Sequence, residues 1–229
     1  LADDLKAELS ADKLLLMRPG GLTLSELGQA KQQDPSPAVT FDTNLWNIDR
    51  SAGLAKRESE LIRAAAEAPF TKRTAHRMNL ARFYFSRQLF AEAKAVLDTV
   101  IADDRPTAND PSPLVLRAIA NIMLNRADSA LKDLASPVVG NQNDAQLWRA
   151  LAHARMGKWA QARDTFRDVE GALSTLPLEL QRIALKDALR ASIEVGDFAN
   201  AINRLNDFAT IGMSAELAPL VSVLSGRLA

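Results

Sequence analysis

Apolar side chains recur along most of this chain at helical rather than strand spacing. In residues 89–102, Leu89, Phe90, Ala93, Val96, Leu97, Val100 and Ile101 follow the i, i+3, i+4, i+7 pattern that gathers them on one stripe, with Glu92, Lys94 and Asp98 opposite. Residues 198–210 repeat the design, with Phe198, Ala201, Ile202, Leu205 and Phe208 inward and Asn200, Asn203, Arg204 and Asn206 outward. The same reading predicts helices over 53–68, 74–87, 113–125, 127–135, 144–156, 159–170, 179–195 and 214–228. Beyond residue 50 no alternating run of β-branched residues competes with it, so that region reads as all-α.

Proline and glycine punctuate the pattern. An interior proline costs a helix roughly 3 kcal/mol, so Pro69, Pro106, Pro111, Pro113, Pro137, Pro177 and Pro219 mark helix boundaries. Met156-Gly157-Lys158-Trp159 and Val195-Gly196-Asp197-Phe198 each stand between two helical stretches and read as interhelical turns.

The first fifty residues follow a different logic, and we set them apart as an extension (1–50) preceding a helical repeat domain (51–229). Leu5, Leu9 and Leu16 suggest a helix near 2–17. Thr23 and Glu26 have the spacing of a capping box for a helix near 24–33, which Pro35-Ser36-Pro37 would stop. Val39-Thr40-Phe41-Asp42-Thr43-Asn44-Leu45-Trp46 has extended, strand-like chemistry.

Aligning the predicted helix pairs on their turns brings Ala93, Ala130, Ala162 and Ala201 into register, spaced 37, 32 and 39 residues apart. The unit is about 34 residues. Each alanine lies early in the second helix of its pair, where a short side chain lets a neighbouring helix approach closely. One turn later come the bulky Leu97, Leu134, Phe166 and Leu205.

On these residues the chain from about 74 to 229 resembles the tetratricopeptide repeat family, with divergent repeats. Gly157-Lys158-Trp159-Ala160-Gln161-Ala162 and Gly196-Asp197-Phe198-Ala199-Asn200-Ala201 match its turn motif most closely. Gln88-Leu89-Phe90-Ala91-Glu92-Ala93 lacks the glycine, and Asn125-Arg126-Ala127-Asp128-Ser129-Ala130 lacks both glycine and aromatic. Leu80, Ala81 and Tyr84 occupy first-helix packing positions, whereas Asn121 and His153 replace the usual aromatic later. The resemblance implies an all-α, right-handed superhelical solenoid with a C-terminal capping helix and a concave face lined by first helices. Such a groove suits peptides and partner helices.

Helical phase then places Met78, Arg82 and Phe85 on the concave side of the first unit. Val115, Ile119 and Ile122 follow in the second, Leu147, Leu151 and Arg155 in the third, and Lys186 and Arg190 in the fourth. Together they would form an apolar floor with basic ends, fit for an amphipathic or acidic peptide. The competing reading, which carries more weight for Val115, Ile119, Leu147 and Leu151, is that they pack between helices.

Composition narrows the remaining chemistry. The 229 residues carry 28 basic and 28 acidic side chains, no cysteine and two histidines. Thiol chemistry, disulfides and cysteine-ligated metals are thereby excluded, and His76 and His153 cannot build a three-imidazole site. We find no His-Glu-x-x-His, glycine-rich phosphate loop, Gly-x-Ser-x-Gly elbow or EF-hand series, so no catalytic residue, cofactor or metal site is implied. The oxygen-rich stretch 103–110 has the wrong spacing for calcium, and Arg105 intrudes. Lys72, Arg73, Arg77, Arg82 and Arg87 stand beside Phe83, Tyr84 and Phe85, a composition that suits single-stranded nucleic acid, but the charges point to opposite sides and the net charge is zero. Nucleic acid is therefore not an expected partner. The apolar run Leu14-Leu15-Leu16-Met17 is far shorter than the roughly 20 residues needed to cross a bilayer, so no membrane insertion is expected. The start reads as trimmed, and an exported bacterial setting is preferred to the cytoplasm.

The leading functional reading is a non-enzymatic scaffold that binds a protein or peptide in the concave face. The alternatives are a structural or homo-oligomer-forming arm of a larger bacterial envelope protein, and a helical substrate-binding domain of a larger enzyme.

Overall fold

A computed structural model describes residues 6–10, 13–17, 41–103, 110–141, 143–215 and 217–227. The chain divides into two compact units, 1–36 and 37–229.

In the first unit, β1 (Lys6–Ser10) pairs antiparallel with β2 (Lys13–Met17), Lys6 opposite Met17 and Leu9 opposite Leu14. The helix expected near 2–17 is thus corrected to a strand pair. Lys6-Ala7-Glu8-Leu9-Ser10 alternates polar and apolar with the strand period of two. Leu14 to Met17 is a continuous apolar run that would spread around a helix without making a stripe. The expected helix at 24–33 lies outside the described residues.

The second unit is a solenoid of paired helices. It opens with α1 (Thr43–Ser51) and α2 (Leu54–Glu67). Four hairpins follow: α3 (Phe70–Ser86) with α4 (Phe90–Asp103), α5 (Ser112–Met123) with α6 (Ala127–Leu134), α7 (Asn143–Arg155) with α8 (Trp159–Asp168), and α10 (Leu178–Glu194) with α11 (Phe198–Ile211). A short α9 (Glu170–Leu173) fills the connection before the fourth hairpin, and α12 (Ala218–Gly226) closes the unit. Each hairpin packs on the next. Prolines open helices here: Pro69, Pro111 and Pro177 are the N-caps of α3, α5 and α10, and Pro219 lies in the first turn of α12, where a fixed φ and a missing N–H are harmless.

Helix α1 replaces the extended segment expected over 39–46 wherever that stretch is described. Asp42 caps it, Oδ1 accepting from the amides of Asn44 at 2.8 Å and Leu45 at 3.0 Å. Phe41 before the cap and Trp46 four residues after it meet edge-to-face, centroids 5.2 Å apart, in the arrangement of a hydrophobic staple. Cap and staple together outweigh the strand preference of Thr43 and the aromatics.

All four register alanines, Ala93, Ala130, Ala162 and Ala201, have 0% exposure. Five residues before each stands a residue with positive φ: Gln88 (60°), Asn125 (59°), Gly157 (72°) and Gly196 (75°). The next amide then reaches back to the first helix. Leu89 donates to the Tyr84 carbonyl at 2.9 Å, Arg126 to Asn121 at 2.7 Å, Lys158 to His153 at 2.9 Å and Asp197 to Ser192 at 2.8 Å. This is one Schellman cap built four times, with left-handed backbone at the same position whether or not the residue is glycine. Repeats without the glycine signature keep its geometry and bear the strain.

Gln88→Gly is therefore expected to raise the free energy of urea unfolding by about 1 kcal/mol. Gly196→Ala, where a Cβ meets nothing within 4 Å and backbone strain is the whole effect, should lower it by a similar amount, about 1 kcal/mol.

Candidate functional site

The residues expected to floor the groove divide into three groups. Met78 and Phe85 on α3, Ile119 and Ile122 on α5, and Leu147 and Leu151 on α7 are buried in the interhelical core, as is Val115. They therefore do not form an open floor. The correction has a simple cause: a first helix inside a stack is flanked by its own partner and by adjoining hairpins, so its apolar surface is wider than one stripe.

Arg155 and Lys186 come together on one carboxylate. Asp187, buried on α10, accepts from Arg155 Nε at 2.8 Å and lies 2.7 Å from Lys186 Nζ. Arg155 thereby ties α7 to α10, while Lys186 neutralises Asp187 from within α10. Arg190 is exposed, its guanidinium 4.8 Å from the centroid of the Trp159 ring and 3.7 Å from Glu194, which also binds Arg227 at 2.7 Å.

Arg82 lies elsewhere. It lines a cleft of about 330 Å³ with Asn79 of the same helix, Arg57 and Leu61 of α2, and Phe41, Asp42, Leu45, Trp46 and Asp49 from α1 and its approach. Burial pulls its guanidinium below the usual arginine value, against the opposing charge of Asp110. Among the described residues it makes no hydrogen bond or ion pair.

Sequence reasoning missed α1 as part of this face. Phe41 meets Phe85 edge-to-face, centroids 5.4 Å apart, and Arg87 donates to the carbonyls of Asp49, at 2.9 Å, and Ala52. Asp49 is buried and accepts from Arg57 Nε at 2.9 Å. From the same helix, Trp46 Nε1 donates to Glu179 Oε2 at 3.0 Å and Arg50 pairs with Glu179 at 2.9 Å, which reaches the start of α10. A nine-residue helix thus bridges the first helices of hairpins one and four, on the side of α3 that carries Asn79, Arg82 and Phe85. Its outward residues Leu45 and Ile48 remain 51% and 55% exposed. The signal that would have found α1 was the Phe41/Asp42/Trp46 spacing of cap and staple.

The basic, aromatic stretch 72–87 is dispersed by the fold. Phe83, Tyr84 and Phe85 are buried, and Arg77 binds Asp103 at 2.5 Å. Tyr84 donates to Glu58 at 2.9 Å, and burial followed by that hydrogen bond pushes its phenol up to about 12. Of the loop considered for calcium, residues 104–109 lie outside the described residues. Asp110 Oδ1 accepts from the Ser112 amide at 3.1 Å. Among the described residues no helix is long and apolar enough to cross a membrane.

No family model matches this chain, and no curated protein matches it. Among solved structures, a tetratricopeptide repeat protein from Parabacteroides merdae ATCC 43184 is similar over 80% of this chain and 69% of its own, with a TM-score of 0.50 and 16% identity. The fold is a tetratricopeptide-like helical repeat. At that identity the likeness speaks for architecture, and it agrees with the four caps and the buried alanines.

His153 sits at a first-helix position where the family places an aromatic ring. Burial, then the charges of Lys158 and Arg149, holds its imidazole below the ordinary 6.5. A depressed folded value means that the unfolded chain binds the proton more readily. The resulting stability is complete above about 6.5 and is lost as pH falls through the lower folded value. Urea midpoints taken from about pH 7.5 to about pH 5 should therefore fall more steeply for wild type than for His153→Gln. Parallel curves would mean that this imidazole does not titrate with folding.

Proposed function

We propose that this protein is a non-enzymatic interaction scaffold that docks a segment of a protein partner on the first-helix, concave face of the solenoid. The partner surface differs from the one that helical phase alone suggested. Buried Met78, Phe85, Ile119, Ile122, Leu147 and Leu151 are set aside as contacts. The face offered to a partner is the outer side of α1, with Leu45 and Ile48, together with Arg82 and the exposed Arg190.

The observation that carries this reading is the docking of α1 itself. A short amphipathic helix lies across first helices, anchored by Phe41 and Trp46, and leaves two large apolar side chains open to solvent on the same helix. Helix-in-groove association uses anchors at this spacing. Burying the half of each side chain that is still exposed is worth roughly 1.5–3 kcal/mol for the pair, enough to change how well a partner is retained.

A structural, self-assembling role is the second reading, and one feature favours it. Phe198 and Ile202 on α11 are 53% and 52% exposed. The residues at the matching place in the first and third hairpins, Phe90 and Trp159, pack against the core. One experiment separates the readings. Leu45→Asp/Ile48→Asp and Phe198→Glu/Ile202→Glu variants are compared with wild type by affinity capture from native lysate and by sedimentation velocity. The scaffold reading expects the α1 variant to lose retained proteins while the α11 variant keeps them and wild type stays monomeric at every concentration. A concentration-dependent dimer abolished by the α11 changes, with captured sets identical for all three chains, would replace it with the assembly reading.

A further inference from the structure

The cleft between α1, α2 and α3 holds a guanidinium that has Asp110 as a nearby opposing charge but no hydrogen-bonded acceptor among the described residues. Of its polar groups, Asp49 is taken by Arg57 at 2.9 Å and Asp42 by the first amides of α1. The indole N–H of Trp46 is directed to Glu179. Two groups are left: the Asn79 amide and the Arg82 guanidinium, whose five N–H donors meet no acceptor among the described residues. The rest of the lining is apolar, from Phe41, Leu45, Trp46 and Leu61. A half-buried guanidinium without acceptors is costly to keep, and a planar carboxylate answers it with two parallel hydrogen bonds.

We propose that this cleft is a binding site for a small monocarboxylate with an apolar body, its carboxylate on Arg82 and its hydrocarbon against Leu45, Trp46 and Leu61. Four properties fix the class. Among the described residues of the lining, one guanidinium lacks a hydrogen-bonded acceptor and can take one carboxylate, whereas a phosphate or dicarboxylate would leave charge desolvated and unpaired. Both carboxylates in the lining are already engaged, which removes a metal ion or an amine. A volume of about 330 Å³ suits a molecule of roughly the size of an aromatic acid. Finally, the lining is drawn from α1 and its approach, α2 and α3 within that volume, which suits a compact molecule better than a long extended chain. The cleft shares Leu45 and Arg82 with the proposed partner face, whereas Ile48 and Arg190 belong to that face alone and Asn79 to the cleft alone, so Asn79→Trp tests the acid site and Ile48→Asp the partner face.

The test is titration of the whole chain with phenylpropanoate, followed by saturation-transfer NMR and calorimetry, beside acetate, phenylpropanamide and a tripeptide ending in phenylalanine with a free carboxylate. Two variants accompany it: Arg82→Gln, and Asn79→Trp, which fills the cleft from an exposed position. Circular dichroism establishes whether each variant folds. The proposal expects saturable 1:1 binding of phenylpropanoate, at least about tenfold weaker binding of the amide and of acetate, and a loss of about tenfold or more in both variants. If Arg82→Gln does not fold, loss of binding in Asn79→Trp supports the site and unchanged binding there overturns it. Binding that is absent in wild type, or unchanged in both folded variants, overturns the site. Tighter binding of the tripeptide than of the free acid overturns the assignment to a small molecule.

Discussion

Helix hairpins can nest side by side only where one position per pair carries nothing larger than a methyl group. In this chain that position is Ala93, Ala130, Ala162 and Ala201, each fully buried. Its place is set five residues earlier by a left-handed residue and a Schellman cap that returns the chain at one fixed angle. Turn and alanine act as a unit. The cap aims the second helix and the methyl lets it arrive, and bulky Leu97, Leu134 and Phe166 then fill the space one turn on. Repeating this operation makes each hairpin the template for the next.

Between hairpins, polar ties supplement the apolar packing. Arg117 on α5 binds Asp133 on α6 at 2.6 Å and Asp98 on α4 at 3.3 Å, which joins the first hairpin to the second. The hydrogen bond to Asp133, more than any other influence, raises its guanidinium above the usual value. Arg155 on Asp187 joins the third to the fourth. Buried carboxylates shared by two helices contribute less net energy than the apolar core, since desolvation offsets most of the attraction, but they penalise a wrong register. Helix α1 adds a longer tie, from Phe85 to Glu179, and in doing so shapes both the exposed Leu45/Ile48 surface and the cleft around Arg82.

The hairpins were legible because their information is local and repeated. The spacing of Leu89 to Ile101, the glycine turns and the alanine register each fix a helix or a turn without reference to distant residues. What was not legible was assignment among faces. Helical phase places Ile119 and Leu151 correctly on a side of their helices, but whether that side meets solvent or a neighbouring hairpin depends on packing that no single window contains. The basic ends were likewise read as charges without partners, because Asp187 lies 32 residues from Arg155. At the start of the chain the errors were of period. Lys6 to Ser10 alternates at strand spacing, yet the leucines drew attention to a helix, and the strand preference of Val39 to Thr43 hid a capped helix that Phe41, Asp42 and Trp46 specify. Of the proposed partner face Arg82 and Arg190 were in view, and of the cleft Arg82 alone.

Replacing each register alanine in turn by leucine, and measuring unfolding free energy in urea, tests the central constraint most directly. The account requires a loss of about 1–3 kcal/mol at every one of Ala93, Ala130, Ala162 and Ala201, since each substitution forces apart helices that now touch. Leucine accepted without loss at two or more of these positions would show that close approach at the alanines is not what holds the hairpins together.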